Sequence, residues 1–185
     1  MAASAQQATA GSSTEASPPL DPLAIANEFV VLGRRDGAVD MTPMKLQKLV
    51  YLAHGWNLAN FATPLISESV QAWRYGPVVP SLYHELKELG RESIVDPIEP
   101  AVSVGFWPPG EAPRVPFDRT DALAVVEAVW KHYGTLSPLQ LSNLTHERGT
   151  PWSIVTREGE EIAPSPVISD ELIARCFVGY MESGG

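Results

Sequence analysis

Hydrophobic positions recur at the three- and four-residue spacing of amphipathic helices over most of this 185-residue chain. Several of the predicted helices start in the same way. A side chain that can cap the first turn is followed by proline, which loses no intrahelical hydrogen bond there. These cap-and-proline pairs are Asp21-Pro22, Thr42-Pro43 and Ser137-Pro138, and Thr150-Pro151 is predicted to start a short turn. Further helices are predicted to begin at Pro80, at Asp118 or Thr120, and after Ser169.

The helix that begins at Thr42-Pro43 is predicted to be the centre of the fold. One wide apolar arc of this helix is formed by Leu46, Leu49, Val50, Ala53, Trp56 and Phe61. Lys45 and Lys48 fall on the opposite side, where we expect a thin, solvated charged edge. A third strip, Gln47, Tyr51 and His54, lies between these two faces. A helix of this kind is expected to pack against neighbours on more than one side.

After Pro64 the pattern changes from helical spacing to alternation. Trp73 and Tyr75 alternate with Ala72 and Arg74, and Gly76-Pro77 turns the chain, so we predict a pair of short strands here. The predicted fold is mainly α, a single compact domain of about six helices with a small inserted β-strand pair. The domain is expected over residues 20–182, preceded by a disordered tail at residues 1–19 that is rich in Ala, Ser, Thr, Gln and Gly.

Residues 94–117 are predicted to form a long loop, because six prolines at this density exclude a helix and most sheet positions. The loop also carries Phe106 and Trp107. We interpret it as a segment that runs around the domain and packs these two aromatic side chains onto the core. A binding arm is the alternative interpretation.

Composition limits the classes of partner. A formal net charge of −9 and a pI near 4.8 argue against a general nucleic-acid-binding surface and suit a basic partner. The single Cys176 cannot form an internal disulfide, and we expect it to be a buried, inert thiol. Residues 1–19 do not resemble a secretory signal, and no stretch approaches the roughly 20 apolar residues of a membrane span. We therefore expect a cytoplasmic protein that does not contact a membrane.

The sequence offers no recognised catalytic or metal-binding motif. The four histidines are scattered, and the His-Glu-x-x-His zinc signature that His146-Glu147 could begin fails because position 150 is threonine. The pair Glu160-Glu161 is expected to be solvated rather than an acid–base couple. No catalytic residue, metal or cofactor is predicted, and the protein is not expected to be an enzyme.

An ordered series of short motifs resembles the Panacea-domain family, also called SocA-like. The matching pieces are Lys-Leu-Gln-Lys-Leu-Val-Tyr at 45–51, His-Gly-Trp at 54–56, Pro64-Leu65, Ala-Trp-Arg-Tyr-Gly-Pro-Val at 72–78, Leu141, Thr145-His146 and Pro151-Trp152. The resemblance spans roughly Leu20 to Met181. It implies a bacterial or phage antitoxin that binds a cognate protein toxin. In the SocA-like branch, the resemblance implies a proteolytic adaptor that delivers the toxin to the ClpXP protease.

Eight residues are candidates for partner binding, because aromatic residues and arginine are the usual anchors of protein interfaces. They are Gln47, Tyr51, His54, Trp73, Arg74, Tyr75, His146 and Trp152. Core packing is the alternative for the tryptophans, and a satisfied internal hydrogen bond is the alternative for the two histidines. The strip Gln47-Tyr51-His54 fits either surface recognition or a buried hydrogen-bond network.

The leading hypothesis is therefore a non-catalytic antitoxin that blocks its toxin by direct binding. A second hypothesis is a small ligand-binding or hydrolytic domain built on Tyr51, His54, Arg74 and His146, which predicts a polar pocket where these four side chains converge. A third is a phage-associated interaction protein without a toxin partner.

Overall fold

The computed structural model describes residues 17–100, 110–160 and 164–182, and within these ranges the chain is mainly helical with a small sheet. The predicted fold class is confirmed, with seven α-helices and one short 3-10 helix (Lys87–Leu89) in the described ranges. The helices are α1 (Pro22–Asp36), α2 (Pro43–Phe61), α3 (Pro80–Leu86), α4 (Thr120–Tyr133), α5 (Pro138–His146), α6 (Pro151–Val155) and α7 (Asp170–Glu182). Among them, none combines the length and the apolar character needed to cross a membrane.

The predicted helix starts are confirmed where a capping side chain precedes proline. Asp21 and Thr42 each accept a hydrogen bond from a backbone N–H in the first turn of their helix. Thr150, where only a short turn is predicted, caps helix α6 in the same way. Ser137 forms a full capping box with Gln140. Helix α4 begins at Thr120, one of its two predicted starts, and its cap position is Arg119, whose side chain makes no capping hydrogen bond.

Helix α2 is the centre of the fold, as predicted. It packs against α1, α3, α4, α5, α7 and the hairpin that follows it. Most of its residues are buried, and they include polar ones on every side of the helix. Phe61 departs from the predicted apolar arc, because it is the last residue of the helix and is 52% exposed.

The predicted strand pair is present, and a third strand joins it. Strands β1 (Val70–Trp73) and β2 (Gly76–Val78) form an antiparallel hairpin, and β3 (Val167–Ile168) pairs antiparallel with the other edge of β1. The sequence pattern did not predict β3, since two residues that closely follow prolines carry no alternation to detect. The sheet connects the hairpin with the start of α7.

Two polar side chains of α1 anchor the proline-rich loop. The Asn27 amide donates to the carbonyl oxygens of Ile98 and Pro113 at 3.0 and 2.9 Å and accepts from the Ile98 N–H at 2.7 Å. Glu28 accepts from the Val115 N–H and forms an ion pair with Arg114. The described parts of the loop contain no helix or strand. The described residues do not include Phe106 and Trp107, which are predicted to pack onto the core, or residues 1–16 of the predicted tail.

The prediction of a solvated charged edge on α2 is wrong, since Lys45 and Lys48 are only 1% and 2% exposed. The Lys45 ammonium donates to Asp40 at 2.6 Å and to the Gly134 carbonyl oxygen at 2.8 Å. The Lys48 ammonium donates to the Pro77 carbonyl oxygen at 3.0 Å, and burial lowers its pKa to about 7. The correction has a physical reason: this side of α2 is covered by the hairpin and by the end of α4, whose backbone supplies the acceptors.

The burial of Lys48 predicts that the stability of the fold depends on pH. Between the folded pKa of about 7 and the ordinary value of 10.5, the unfolded chain holds a proton that the folded protein has released. The free energy of unfolding therefore rises with pH, by up to about 1.4 kcal/mol per pH unit. Urea denaturation between about pH 7 and pH 8.5 measures this rise. At higher pH, Cys176 and Tyr51 act in the opposite direction, because burial raises their pKa values.

The matched variant is Lys48→Met, which keeps an unbranched side chain and removes the titrating group. We expect the rise in stability over this pH interval to be lost in the variant. An equal rise in both proteins would contradict the assignment to Lys48.

Candidate functional site

Side chains of the central helix hold the β1–β2 hairpin by its backbone. The Gln47 amide pairs with Val79 in both directions: it accepts from the Val79 N–H at 3.0 Å and donates to the Val79 carbonyl oxygen at 3.2 Å. One residue further along α2, Lys48 donates to the carbonyl oxygen of Pro77. Both contacts are buried, so they replace hydrogen bonds that water would otherwise make.

Helices α5 and α6 hold the other side of the hairpin. The Trp152 indole N–H donates to the Trp73 carbonyl oxygen at 2.8 Å. His146 bonds the Ser142 carbonyl oxygen through Nδ1 at 2.6 Å, and its Nε2 lies 3.4 Å from the Arg74 carbonyl oxygen. Because both partners are acceptors, a ring with one N–H donates to only one of them. Helix α5 also bonds the turn through the Ser142 hydroxyl, which donates to the Tyr75 carbonyl oxygen at 3.5 Å. The rings of His146 and Trp152 stack at 4.0 Å between centroids.

Gly76 lets the turn of the hairpin approach these helices closely. Its φ of +100° lies in the region that favours glycine. A β-carbon at this position would lie 2.7 Å from the Lys48 ammonium and 2.8 Å from the Thr145 hydroxyl. A larger residue would therefore push the turn away from α2 and α5.

The hairpin turn exposes Arg74 and Tyr75, although the backbone on either side of them is fixed. Tyr75 is 64% exposed, and the Arg74 guanidinium carbon lies 5.8 Å from the centroid of its ring, a cation–π distance. Trp73 is half-buried and makes an edge contact with the Tyr83 ring at 4.7 Å. We call Trp73, Arg74 and Tyr75 the hairpin surface. It presents two aromatic residues and a cation on a rigid backbone.

The surface interpretation of the strip Gln47-Tyr51-His54 is wrong, because all three side chains are buried. The other interpretation, a buried hydrogen-bond network, holds for Gln47 and His54. The His54 Nδ1 accepts from the Leu65 N–H at 3.3 Å, so its Nε2 carries the proton and donates to Asp170 at 3.0 Å. Helix α7 and the segment after α2 cover this side of the helix, which the sequence pattern does not reveal.

The four residues of the ligand-binding or hydrolytic hypothesis do not share a pocket. Tyr51 lines a cleft that includes none of the other three. His54 is fully enclosed with both ring nitrogens in hydrogen bonds, and Arg74 is exposed at the hairpin turn. Within the described ranges, no group of three or more His, Cys, Asp or Glu side chains is placed to hold a metal ion.

Cys176 is less enclosed than predicted. It is half-buried in α7 and lines the same cleft as Tyr51. Burial raises the pKa of its thiol, which therefore stays protonated at neutral pH. This protonation state agrees with the predicted inert thiol.

The close approach at Gly76 predicts an unusually destabilising Gly76→Ala substitution. Gly37 is the matched control, because it also has a positive φ (+71°) but has no atom near the position of a β-carbon. Each alanine is strained by its backbone conformation, by about 1–2 kcal/mol. The crowding adds a further 1–3 kcal/mol, roughly, at Gly76 only. Urea denaturation of both variants measures the difference, and equal losses would contradict the packing of the turn described above.

Comparisons with known proteins agree with the resemblance in the motifs. A family model described as the antitoxin SocA-like Panacea domain matches residues 46–153, which contain most of α2, the hairpin and α5. The chain is also 30% identical over 162 residues to the antitoxin SocA of Caulobacter vibrioides, an alignment that covers 85% of this chain and 82% of that protein. No solved structure matches the chain. Together, the family model and this relative show that the chain belongs to the SocA-like, Panacea-domain family of antitoxins.

Proposed function

We propose that this protein neutralises a cognate protein toxin by direct contact, and that the hairpin surface carries part of that contact. Membership of the family supports an antitoxin role in general. The observation that supports this particular surface is the exposed pair Arg74 and Tyr75 on a backbone that side chains of α2, α5 and α6 hold by hydrogen bonds.

The physical argument for this surface is preorganisation. Tyrosine, tryptophan and arginine dominate the binding energy of protein interfaces. A turn that is already fixed loses little conformational entropy when a partner binds, so more of the contact energy appears as affinity. Of the other sequence candidates, Gln47, Tyr51 and His54 are enclosed. Trp152 donates to the backbone of the hairpin, and His146 packs against the Trp152 ring.

The net charge supports a basic partner. At −9, the chain attracts a positively charged toxin over a distance and accelerates their encounter at low ionic strength. Arg74 is then a local cation within an acidic protein, suited to stacking on an aromatic residue or pairing with a carboxylate of the toxin.

Co-expression with the product of the neighbouring gene tests the proposal. We expect that gene product alone to stop growth, and growth to return when this protein is present. In pull-downs the two proteins should form a complex. Growth arrest that this protein does not relieve would contradict the proposal. A neighbour without any effect on growth would favour an interaction protein without a toxin partner.

The same experiment with Arg74→Ala and Tyr75→Ala tests the surface. Each substitution should weaken toxin binding by roughly tenfold or more, because truncating an interface anchor costs at least 1–2 kcal/mol. Both side chains are exposed, so the melting temperature should not change. Phe117→Ala is the matched control, because Phe117 is an exposed aromatic residue in the turn before α4, and this variant should bind normally. Equal binding by all variants would exclude the hairpin surface.

The fate of the toxin separates two modes of neutralisation. Direct inhibition leaves the toxin concentration unchanged in cells that contain this protein. Delivery to the ClpXP protease, the mode that the resemblance to the SocA-like branch raises, shortens the half-life of the toxin in cells with ClpX but not in cells without it.

A further inference from the structure

Two neighbouring grooves meet at Ser67 and Glu68, on the side of the domain where α1, α3 and α7 begin. One has a volume of about 320 Å³ and lies between the starts of α1 and α3, and the other has a volume of about 500 Å³ and lies beside the start of α7. We call the two together the acidic groove. Its described lining contains no lysine, arginine or histidine, and its carboxylates are Asp21, Glu68, Glu85, Asp170 and Glu171.

Apolar side chains line the acidic groove together with the carboxylates. Pro19 and Pro64 are exposed there, and Val167 on the edge strand β3 is 55% exposed. A surface of this kind favours a peptide in an extended conformation, because successive side chains of an extended chain point to opposite sides. Alternate residues of such a peptide can contact the apolar wall and the carboxylates.

No lysine or arginine of the chain neutralises Glu68, Asp170 or Glu171. All 13 lysine and arginine residues lie in the described ranges, and none of them forms an ion pair with these three carboxylates. Glu68 instead accepts from the Ser81 N–H at 3.2 Å, and Asp170 accepts from the neutral His54 ring at 3.0 Å. The negative charge of the acidic groove is therefore available to a partner.

Helix α3 connects the acidic groove to the hairpin surface. Its residue Ser81 bonds Glu68 in the groove, and the ring of Tyr83 lies 4.7 Å from the ring of Trp73 in the hairpin surface. The two surfaces thus flank one short helix. A protein that covers the hairpin surface can reach the acidic groove across α3.

We propose that the acidic groove binds an extended basic segment of the protein toxin. Charge complementarity selects this occupant, since the segment supplies the cations that the described lining lacks. The inference rests on the proposed function, which identifies the partner as a toxin. It also locates the attraction expected from the net charge of −9: the acidic groove attracts a basic segment, whereas Arg74 in the hairpin surface repels it.

A probe peptide tests the acidic groove without the toxin. The probe is a short peptide with blocked ends in which lysine alternates with alanine, and its control carries glutamine in place of lysine. At low ionic strength, we expect the lysine peptide to bind saturably, with NMR shifts at the amides of Ser67, Ser69 and Ser169, which line the groove. The absence of saturable shifts at these amides, or equal binding of the glutamine peptide, would overturn the proposal.

Two double variants locate the binding. The groove variant, Glu85→Gln with Glu171→Gln, removes two charges and keeps side chains of nearly the same shape. The control variant, Glu92→Gln with Asp118→Asn, makes the same change in net charge at exposed residues that line neither groove. We expect the groove variant to bind the lysine peptide roughly three- to tenfold more weakly, and the control variant to stay within about twofold of the native chain. Equal weakening in the two variants would show attraction to the net charge alone and overturn the proposal.

The toxin separates this inference from the proposed function. We expect the groove variant to bind the toxin roughly three- to tenfold more weakly than the control variant, with a difference that shrinks at high ionic strength. If the toxin bound both variants equally, the acidic groove would be excluded while the proposed function stood. If the neighbouring gene product did not bind the native chain at all, the proposed function would fail, and this inference with it.

Discussion

The enclosure of α2 from Lys45 to Leu58, where Trp56 alone is not fully buried, is the constraint on which the rest of the structure depends. A helix with neighbours on every side has no face from which polar side chains reach water, so each buried polar group needs a partner within the protein. In α2 the partners are mostly backbone groups of other segments, at Gly134 for Lys45, Val79 for Gln47, Pro77 for Lys48 and Thr63 for Asn57. Among the described residues, the exception is the indole nitrogen of Trp56, which has no hydrogen-bond partner.

This arrangement ties the core to the exposed hairpin. Gln47 and Lys48 are adjacent on α2 and bind the backbone two residues apart in the hairpin. Gly76 permits the approach, and the side chains of Ser142 and Trp152 donate hydrogen bonds to the backbone on the opposite side. Several of the short motifs that resemble the family thus contact one another in the fold. Motif residues in α2, α5 and α6 contact the hairpin, and the backbone that they contact lies at 73–79. Arg74 and Tyr75 are the residues of this hairpin whose side chains remain accessible to a partner.

Local chemistry predicted the elements of the fold well. Cap-and-proline pairs predicted the starts of α1, α2 and α5, because capping depends on residues within one turn. The alternation before Gly76-Pro77 predicted the hairpin for the same reason. Strand β3 was missed, since a two-residue strand is defined by its pairing with β1 and not by its own sequence.

The sequence could not show which polar residues are buried. A helical wheel places lysine at the surface because an isolated ammonium strongly favours water. Lys45 and Lys48 are buried because carbonyl oxygens 89 and 29 residues away along the chain reach them. The strip Gln47-Tyr51-His54 left both possibilities open for the same reason. Of the candidate site, the exposed turn could be predicted from the sequence, whereas the contacts that support it depend on the three-dimensional packing.

Hydrogen exchange at the Val79 amide tests most directly whether α2 holds the hairpin. This N–H lies just beyond β2, and the Gln47 side chain is its acceptor. In Gln47→Leu, exchange at Val79 should accelerate at least tenfold, roughly, beyond any change at the Leu49 amide within α2, which reports global stability. Equal changes at the two amides would contradict the account, because the hairpin would then be held without its bond to the central helix.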